Sequence, residues 1–277
     1  MTSIQHPLKW HGGKAYLANR IIALFPKHLH YVEPFAGGLS VLLAKDPENV
    51  SEVVNDLNSA LTNFWKVLQD DNAFDRFRRR IEATPFSERE WEQAEEIYPQ
   101  GFGLGPDVAA AVNFFIRCRQ SLAGRMAGFT GVTRTRTRRG MNNEVSAWLS
   151  AVEGLPAVHA RLSRVLILNR KALDVIRSQD GKDTLFYLDP PYLHETRATT
   201  GEYAFEMTAD DHTALLDALA TVQGKFVLSG YRSDLYDRAA SAYHWTRTDF
   251  EIANHAAAGK DKRRMVESCW SNYVPGN

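Results

Sequence analysis

Four residues at the end of an apolar run carry groups that could hold a planar amine. The run Leu185–Leu188 in DTLFYLDPPYLHE is followed by Asp189, Pro190, Pro191 and Tyr192. Because proline has no backbone N–H, the strand predicted here cannot continue as a central ladder strand, and the prolines hold its tip rigid. The Asp189 carboxylate and the Pro190 carbonyl can each accept one hydrogen of an exocyclic amine, while Tyr192 stacks on the ring. Such acceptors are in place before the amine arrives.

A structural role for the two prolines is the alternative, since prolines often follow strands. From average residue usage, however, the string DPPY should occur by chance in only about one chain per thousand of this length. The motif therefore favours a functional site.

A glycine turn lies between a predicted strand and a predicted helix in EPFAGG, where Gly37 and Gly38 allow a ligand to approach the backbone. A tight turn without a ligand is the alternative. The segment lacks the spacing of a pyrophosphate cradle or a P-loop. Asp56 ends the next predicted strand, 18 residues past Gly38, where its carboxylate can accept hydrogen bonds from a ribose diol. A nucleoside without phosphates fits both features, and S-adenosylmethionine is the obvious candidate.

The segment LKWHGGK (8–14) precedes the first predicted strand. Lys14 could pair with the methionine carboxylate of this cofactor, and Trp10 could wall its pocket. An ordinary tail packed on the sheet is the alternative.

These residues need a parallel sheet to position them. Five segments read as strands that alternate with helical segments, and this alternation predicts βαβ units. The five segments are HLHYVEPF, SEVVNDLN, SRVLILN, DTLFYLD and KFVLSGY. The segment 209–223 predicts a helix capped by Thr208 or Asp210. YHWTRTDFEI and MVESCWSNYV predict an antiparallel edge pair. We expect an α/β fold with a Rossmann-like catalytic domain (1–63 and 151–277) and a mostly helical insertion (64–150).

Composition narrows the class of protein. The formal net charge is zero, so a nucleic-acid surface would have to be local. Cys118 and Cys269 form no C-x-x-C pair, which argues against structural zinc and a disulfide framework and suits a reducing compartment. No run approaches the length of a membrane span, and the N-terminal residues contain no apolar signal region. We expect a soluble cytoplasmic protein without a metal, in which His11, His212 and His244 are surface or packing residues.

A basic segment lies inside the predicted insertion. Seven arginines and no acidic residue occur between Arg117 and Arg139. In TRTRTRR, a β-like conformation would place Arg134, Arg136 and Arg138 on one face, at a spacing suited to phosphates or base edges. A solvated basic loop is the alternative. We predict DNA contacts by Arg117, Arg119, Arg125, Arg134, Arg136, Arg138 and Arg139, and more weakly by Lys9 and GKDKRR (259–264).

The motifs together resemble the Dam-type family of DNA adenine-N6 methyltransferases. The similar pieces are LKWHGGK, YVEPFAGGLSVLL, VVNDLN, LDPPY, HTALLDAL…GKFVLSGY and GKDKRRMVE…SNY, in the family's order. The resemblance implies a Rossmann-like methyltransferase sheet with an inserted target-recognition domain. It implies that Asp189, Pro190, Pro191 and Tyr192 handle a flipped adenine. It also implies a cofactor site made by Trp10, Lys14, Phe35, Ala36, Gly37, Gly38, Ser40, Asp56, Leu57 and Asp189.

The activity expected from this resemblance is methyl transfer from S-adenosylmethionine to adenine N6 in double-stranded DNA, with S-adenosylhomocysteine as product. The first position of the motif is aspartate. This disfavours protein methylases and many RNA methylases, which have NPPY, and cytosine-N4 enzymes, which usually have SPPY. An enzyme acting on RNA or cytosine N4, or a silent DNA-binding relative, is the alternative. The segment 117–148 does not align with the family's base-reading hairpin, so the target sequence stays open. We also expect a bacterial or phage protein that acts as a monomer and has a cognate restriction enzyme as a further partner.

Overall fold

The computed structural model of the protein describes residues 4–10, 12–95, 105–131, 134–193, 205–253 and 264–276. The strands are β1 His30–Glu33, β2 Ser51–Asn55, β3 Thr137–Arg138, β4 Met141–Asn142, β5 Val165–Leu168, β6 Thr184–Leu188, β7 Lys225–Gly230, β8 Thr246–Ala253 and β9 Arg264–Ser271. The helices are α1 Ala18–Ile22, α2 Ser40–Ala44, α3 Ser59–Gln69, α4 Asp71–Glu82, α5 Glu88–Gln93, α6 Val108–Gln120, α7 Asn143–Leu162, α8 Ala172–Gln179, α9 Ala209–Thr221 and α10 Asp234–Ala242. A single 3₁₀ turn, Leu122–Gly124, follows α6.

Seven strands form one sheet in the order β5-β2-β1-β6-β7-β9-β8. The pairings β2–β1, β1–β6 and β6–β7 are parallel, and β9 is antiparallel to both β7 and β8. All five residues of β6 are buried, as expected for a central parallel strand covered on both faces. The predicted α/β class and the antiparallel edge pair are therefore confirmed.

The chain divides into two compact units. The first comprises 1–19, 36–46 and 56–169, and the second comprises 20–35, 47–55 and 170–277. These boundaries differ from the predicted catalytic domain and insertion at 64–150, and the target-recognition role of that insertion stays a prediction.

The first unit is built mainly from helices whose ends are capped by side chains. The Asn58 side chain accepts hydrogen bonds from two backbone N–H groups at the start of α3, and the Asp107 and Asn142 side chains each accept one at the starts of α6 and α7. Inside this unit, the rings of Phe64 and Phe115 stack with centroids 5.8 Å apart. Capped helices around an aromatic core agree with the helical character predicted for this part of the chain.

The second unit contains most of the sheet. Its fully buried residues include Tyr31, Phe186, Phe226 and Trp270, which lie on adjacent strands. Helix α9 begins with a reciprocal capping box, in which the Thr208 hydroxyl and the Asp211 carboxylate each accept from the other residue's N–H. Of the two caps predicted from the sequence, Thr208 is the one used.

Within the described residues, no helix combines the length and the apolar character needed to cross a bilayer.

Candidate active site

The glycine turn and the acid at the end of β2 are joined by a hydrogen bond. The Gly37 N–H donates to Asp56 Oδ2 across 2.9 Å, and the Asn58 N–H donates to Oδ1 across 2.9 Å. Burial raises the pKa of Asp56, while the N–H donors of Asn58, Gly37 and Leu57 act in the opposite direction. The carboxylate has about four lone-pair directions, so these backbone N–H groups leave capacity for a further donor.

Trp10 explains why both positions of the turn are glycine. A Cβ built on Gly37 would lie 2.8 Å from Trp10 Nε1, and one on Gly38 would lie 2.8 Å from Trp10 Cβ. Gly37 also has a φ of +47°, in the left-handed region that favours glycine. The sequence suggested a ligand's approach as the reason for these glycines; in the structure the neighbour that requires them is the indole.

The segment before the first strand therefore packs on the turn. A Cβ on Gly13 would lie 3.4 Å from Ser40 Oγ, which brings the LKWHGGK segment to the start of α2. The Lys14 side chain is 4% exposed, and its Nζ donates to the Gly12 carbonyl across 2.9 Å. Leu57, next to Asp56, is 45% exposed and offers apolar surface. Pairing of Lys14 with a cofactor carboxylate stays a prediction.

The acid of the DPPY motif follows the buried strand β6. Asp189 is half-buried, Pro190 is buried and Pro191 is half-buried. The Tyr192 hydroxyl lies 3.3 Å from Asp189 Oδ1. Asp189 and Tyr192 of the motif thus contact each other at the strand end.

Tyr192 lies deeper than expected. Its side chain is 7% exposed, and its ring meets that of Tyr231 edge-to-face with centroids 4.8 Å apart. Its hydroxyl also donates to the carboxylate of Glu267 on β9. Stacking on a base requires an uncovered ring face, so that role stays a prediction.

The charge of Asp189 acts on three tyrosines. Burial raises the pKa of Tyr187, Tyr192 and Tyr236, and in each case the Asp189 carboxylate raises the pKa further. These phenols therefore remain protonated hydrogen-bond donors beside the motif at neutral pH.

Three buried polar residues near these motifs were not predicted from the sequence. Glu33 ends β1 and accepts from the Tyr31 hydroxyl across 2.7 Å. Asn55 ends β2 and donates to the carbonyls of Pro34 and Arg170, which ties the strand end to the start of the glycine turn. Glu33 and Asn55 could have been found because each is a polar residue closing an apolar strand. Glu267 had no such signal.

Part of the predicted basic surface is engaged within the protein. Arg119 is 7% exposed and donates to the Ala147 carbonyl. Arg117 stacks over Trp91, 4.4 Å from the ring centre. Arg119 thus holds α6 near α7, and contacts of Arg119 and Arg117 with DNA stay a prediction.

Two further cations of the predicted set form ion pairs with helix α7. Lys9 Nζ lies 2.9 Å from Glu144, and Arg139 makes two hydrogen bonds to Glu153. The segment between Arg117 and Arg139 contains no acidic residue, but helix α7 provides two acidic partners for these cations.

Several of the remaining arginines lie in or just before a short hairpin. Strands β3 and β4 are joined by Arg139 and Gly140, both with positive φ, as a type I′ turn requires. The strand covers only Thr137–Arg138, so the β-like conformation considered for residues 134–138 is regular strand only at its end. Besides the ion-paired Arg139, four arginines of the predicted set are exposed: Arg125, Arg134, Arg136 and Arg138. His11 and residues 259–263 of the second basic run lie outside the described residues.

No cluster of three or more His, Cys, Asp or Glu suited to a metal ion occurs among the described residues.

The chain has a mixed α/β architecture with a mostly parallel seven-stranded sheet, a glycine turn after β1 and an acid after β6. This architecture is consistent with a methyltransferase fold. Residues 10–254 match the D12 class of N6 adenine-specific DNA methyltransferases, and the chain belongs to that family. The family predicted from the sequence motifs is therefore confirmed.

A curated relative is the modification methylase StsI of Streptococcus sanguinis. It is 23% identical over 209 residues, which make up 72% of this chain and 30% of StsI. This chain thus spans less than a third of that relative's length.

Proposed function

We propose that this protein transfers a methyl group from S-adenosylmethionine to the N6 amine of adenine in double-stranded DNA. The observation that carries the proposal is the half-buried Asp189 at the carboxyl end of central strand β6, in a chain of an adenine-specific methyltransferase family. Ligands of open α/β sheets bind at the carboxyl ends of the strands. A carboxylate held there by two prolines suits an aromatic amine.

Asp189 and the Pro190 carbonyl would act as hydrogen-bond acceptors for the amine. The N6 lone pair is delocalised into the adenine ring, so the free amine is a poor nucleophile. Two acceptors draw its hydrogens toward tetrahedral positions and concentrate the lone pair on nitrogen. A carboxylate is too weak a base to deprotonate neutral adenine, so one N–H proton leaves after the N–C bond has formed. Positioning supplies much of the rate.

The cofactor side of the proposal rests on the turn and its acid. Members of this family use S-adenosylmethionine, which supplies an electrophilic sulfonium methyl group when bound. The residues present fit a nucleoside: Asp56 has acceptor capacity for a ribose diol, and the exposed Leu57 offers apolar surface. Trp10, Lys14, Phe35, Ala36, Gly37, Gly38 and Ser40 would complete that site.

The DNA side of the proposal rests on the exposed arginines. Arg125, Arg134, Arg136 and Arg138 are exposed and lie in one stretch of chain around the β3–β4 hairpin, which suits phosphate contacts. Adenine N6 inside a duplex is paired and stacked, so we propose that the base is flipped out. A 2-aminopurine at the target position should brighten on binding; persistent quenching would remove flipping from the proposal.

The direct test is tritium transfer from labelled cofactor to unmethylated plasmid DNA or to RNA, followed by nucleoside analysis. Label in N6-methyladenine from DNA, lost in Asp189→Ala, supports the proposal. Label in RNA or in N4-methylcytosine points to a different substrate, and no label with DNA binding retained points to a silent relative. A cytoplasmic location in a bacterium or phage-infected cell, action as a monomer and a partner restriction enzyme stay predictions.

A further inference from the structure

A buried carboxylate on β9 contacts the catalytic motif. Glu267 is 1% exposed and lies opposite Phe250 in the β8–β9 pairing. A carboxylate taken out of water costs free energy unless it is hydrogen-bonded. One of its partners is the Tyr192 hydroxyl, which donates to it from 75 residues away in sequence.

The same hydroxyl faces a second carboxylate. The Tyr192 oxygen is 3.3 Å from Asp189 Oδ1, so one phenolic hydrogen lies between two acids. A phenol has a single hydrogen to donate. While Glu267 accepts that hydrogen, the hydrogen is not directed to Asp189.

We propose that Glu267 is a positioning residue, which holds the Tyr192 hydroxyl away from Asp189 and fixes the Tyr192 ring beside Tyr231. This inference rests on the proposed function, because it assigns Asp189 to the substrate amine. Without an acceptor at position 267, the phenolic hydrogen can turn to Asp189, the other carboxylate that it faces. It then competes with the amine for the carboxylate.

Three variants separate this role from simple packing. Glu267→Gln keeps an acceptor oxygen, Glu267→Met keeps the length but has no such oxygen, and Tyr192→Phe keeps the ring but removes the hydroxyl. We expect kcat to stay within about threefold of wild type in Glu267→Gln and to fall at least about tenfold in Glu267→Met. Glu251→Met is the matched control, because Glu251 is exposed on the neighbouring strand β8.

The decisive measurement is the double variant Tyr192→Phe/Glu267→Met on unmethylated plasmid DNA. Because the competing hydroxyl is gone, its kcat should equal or exceed that of Glu267→Met alone. The inference is overturned if the fold-decrease in kcat of the double variant equals the product of the two single decreases. It is also overturned if Glu267→Met leaves kcat unchanged. If Glu267→Gln lowers kcat and adding Tyr192→Phe does not reduce that loss, the inference is also overturned. This comparison can be made even where Glu267→Met does not fold.

Thermal unfolding of the same variants tests the contact without activity. The decrease in Tm of the double variant should be smaller than the sum of the single decreases, and additive decreases would contradict the contact. A wild-type protein that methylates no adenine would refute the proposed function. Activity without kinetic coupling would refute only the role of Glu267.

Discussion

The carboxylate of Asp56 accepts a hydrogen bond from the Gly37 backbone N–H across 2.9 Å. One side chain at the end of β2 thereby fixes the glycine turn after β1, and both belong to the proposed cofactor site. The same acid that could receive a ribose also shapes the backbone beside it.

Asp56→Ala should weaken binding of S-adenosylhomocysteine by about tenfold or more. The substitution removes hydrogen bonds to a charged acceptor and releases the Gly37 N–H. Calorimetric titration with the product measures the affinity without requiring turnover. Asp75→Ala, an exposed acid on α4, is the matched control. Equal affinity in wild type and Asp56→Ala would place the cofactor elsewhere.

Gly38→Ala should lower the free energy of unfolding by about 1–3 kcal/mol, because the added methyl group would lie 2.8 Å from Trp10 Cβ. Chemical denaturation measures the change. Gly131→Ala is the control, since no atom lies within 4 Å of a Cβ at that position. A Gly38→Ala protein as stable as the control would show that Trp10 moves aside at little cost.

Arg136→Ala and Arg138→Ala should each weaken DNA binding several-fold. For each phosphate that is no longer neutralised, the slope of log affinity against log salt should become shallower by about one unit. Fluorescence anisotropy over a range of salt concentrations provides both quantities. Lys182→Ala removes an exposed cation of the second unit and should leave both unchanged. If both arginine variants bind like wild type, the hairpin is not part of the interface.

Alkaline pH should destabilise the protein through its buried phenols. Burial raises the pKa of Tyr31, Tyr187 and Tyr192 well above the usual value. Above about pH 10 the unfolded chain loses these protons while the folded chain keeps them, so the free energy of unfolding falls as pH rises. Tyrosinate absorbance at 295 nm should therefore appear in two phases, the second coinciding with loss of circular dichroism. A single reversible phase in the folded protein would contradict this prediction.

Several local features could be predicted because they depend on neighbours in sequence. Two prolines end β6 after Leu188 because they carry no N–H for a ladder, and Asp189 is therefore placed at the strand end. Thr208 caps α9 because its hydroxyl reaches the N–H three residues on. The extent of the β3–β4 hairpin could not be predicted, since Arg139 and Gly140 give a turn without setting how far the strands extend.

The order of motifs along the chain thus determined the α/β class, the family and the candidate acids Asp56 and Asp189. Only the tertiary structure decided which groups these acids meet and which cations are paired. Lys9 reaches Glu144 across 135 residues of sequence, and Glu267 reaches Tyr192 across 75. Such contacts follow from strand pairing and helix packing, which bring together residues that no local spacing relates.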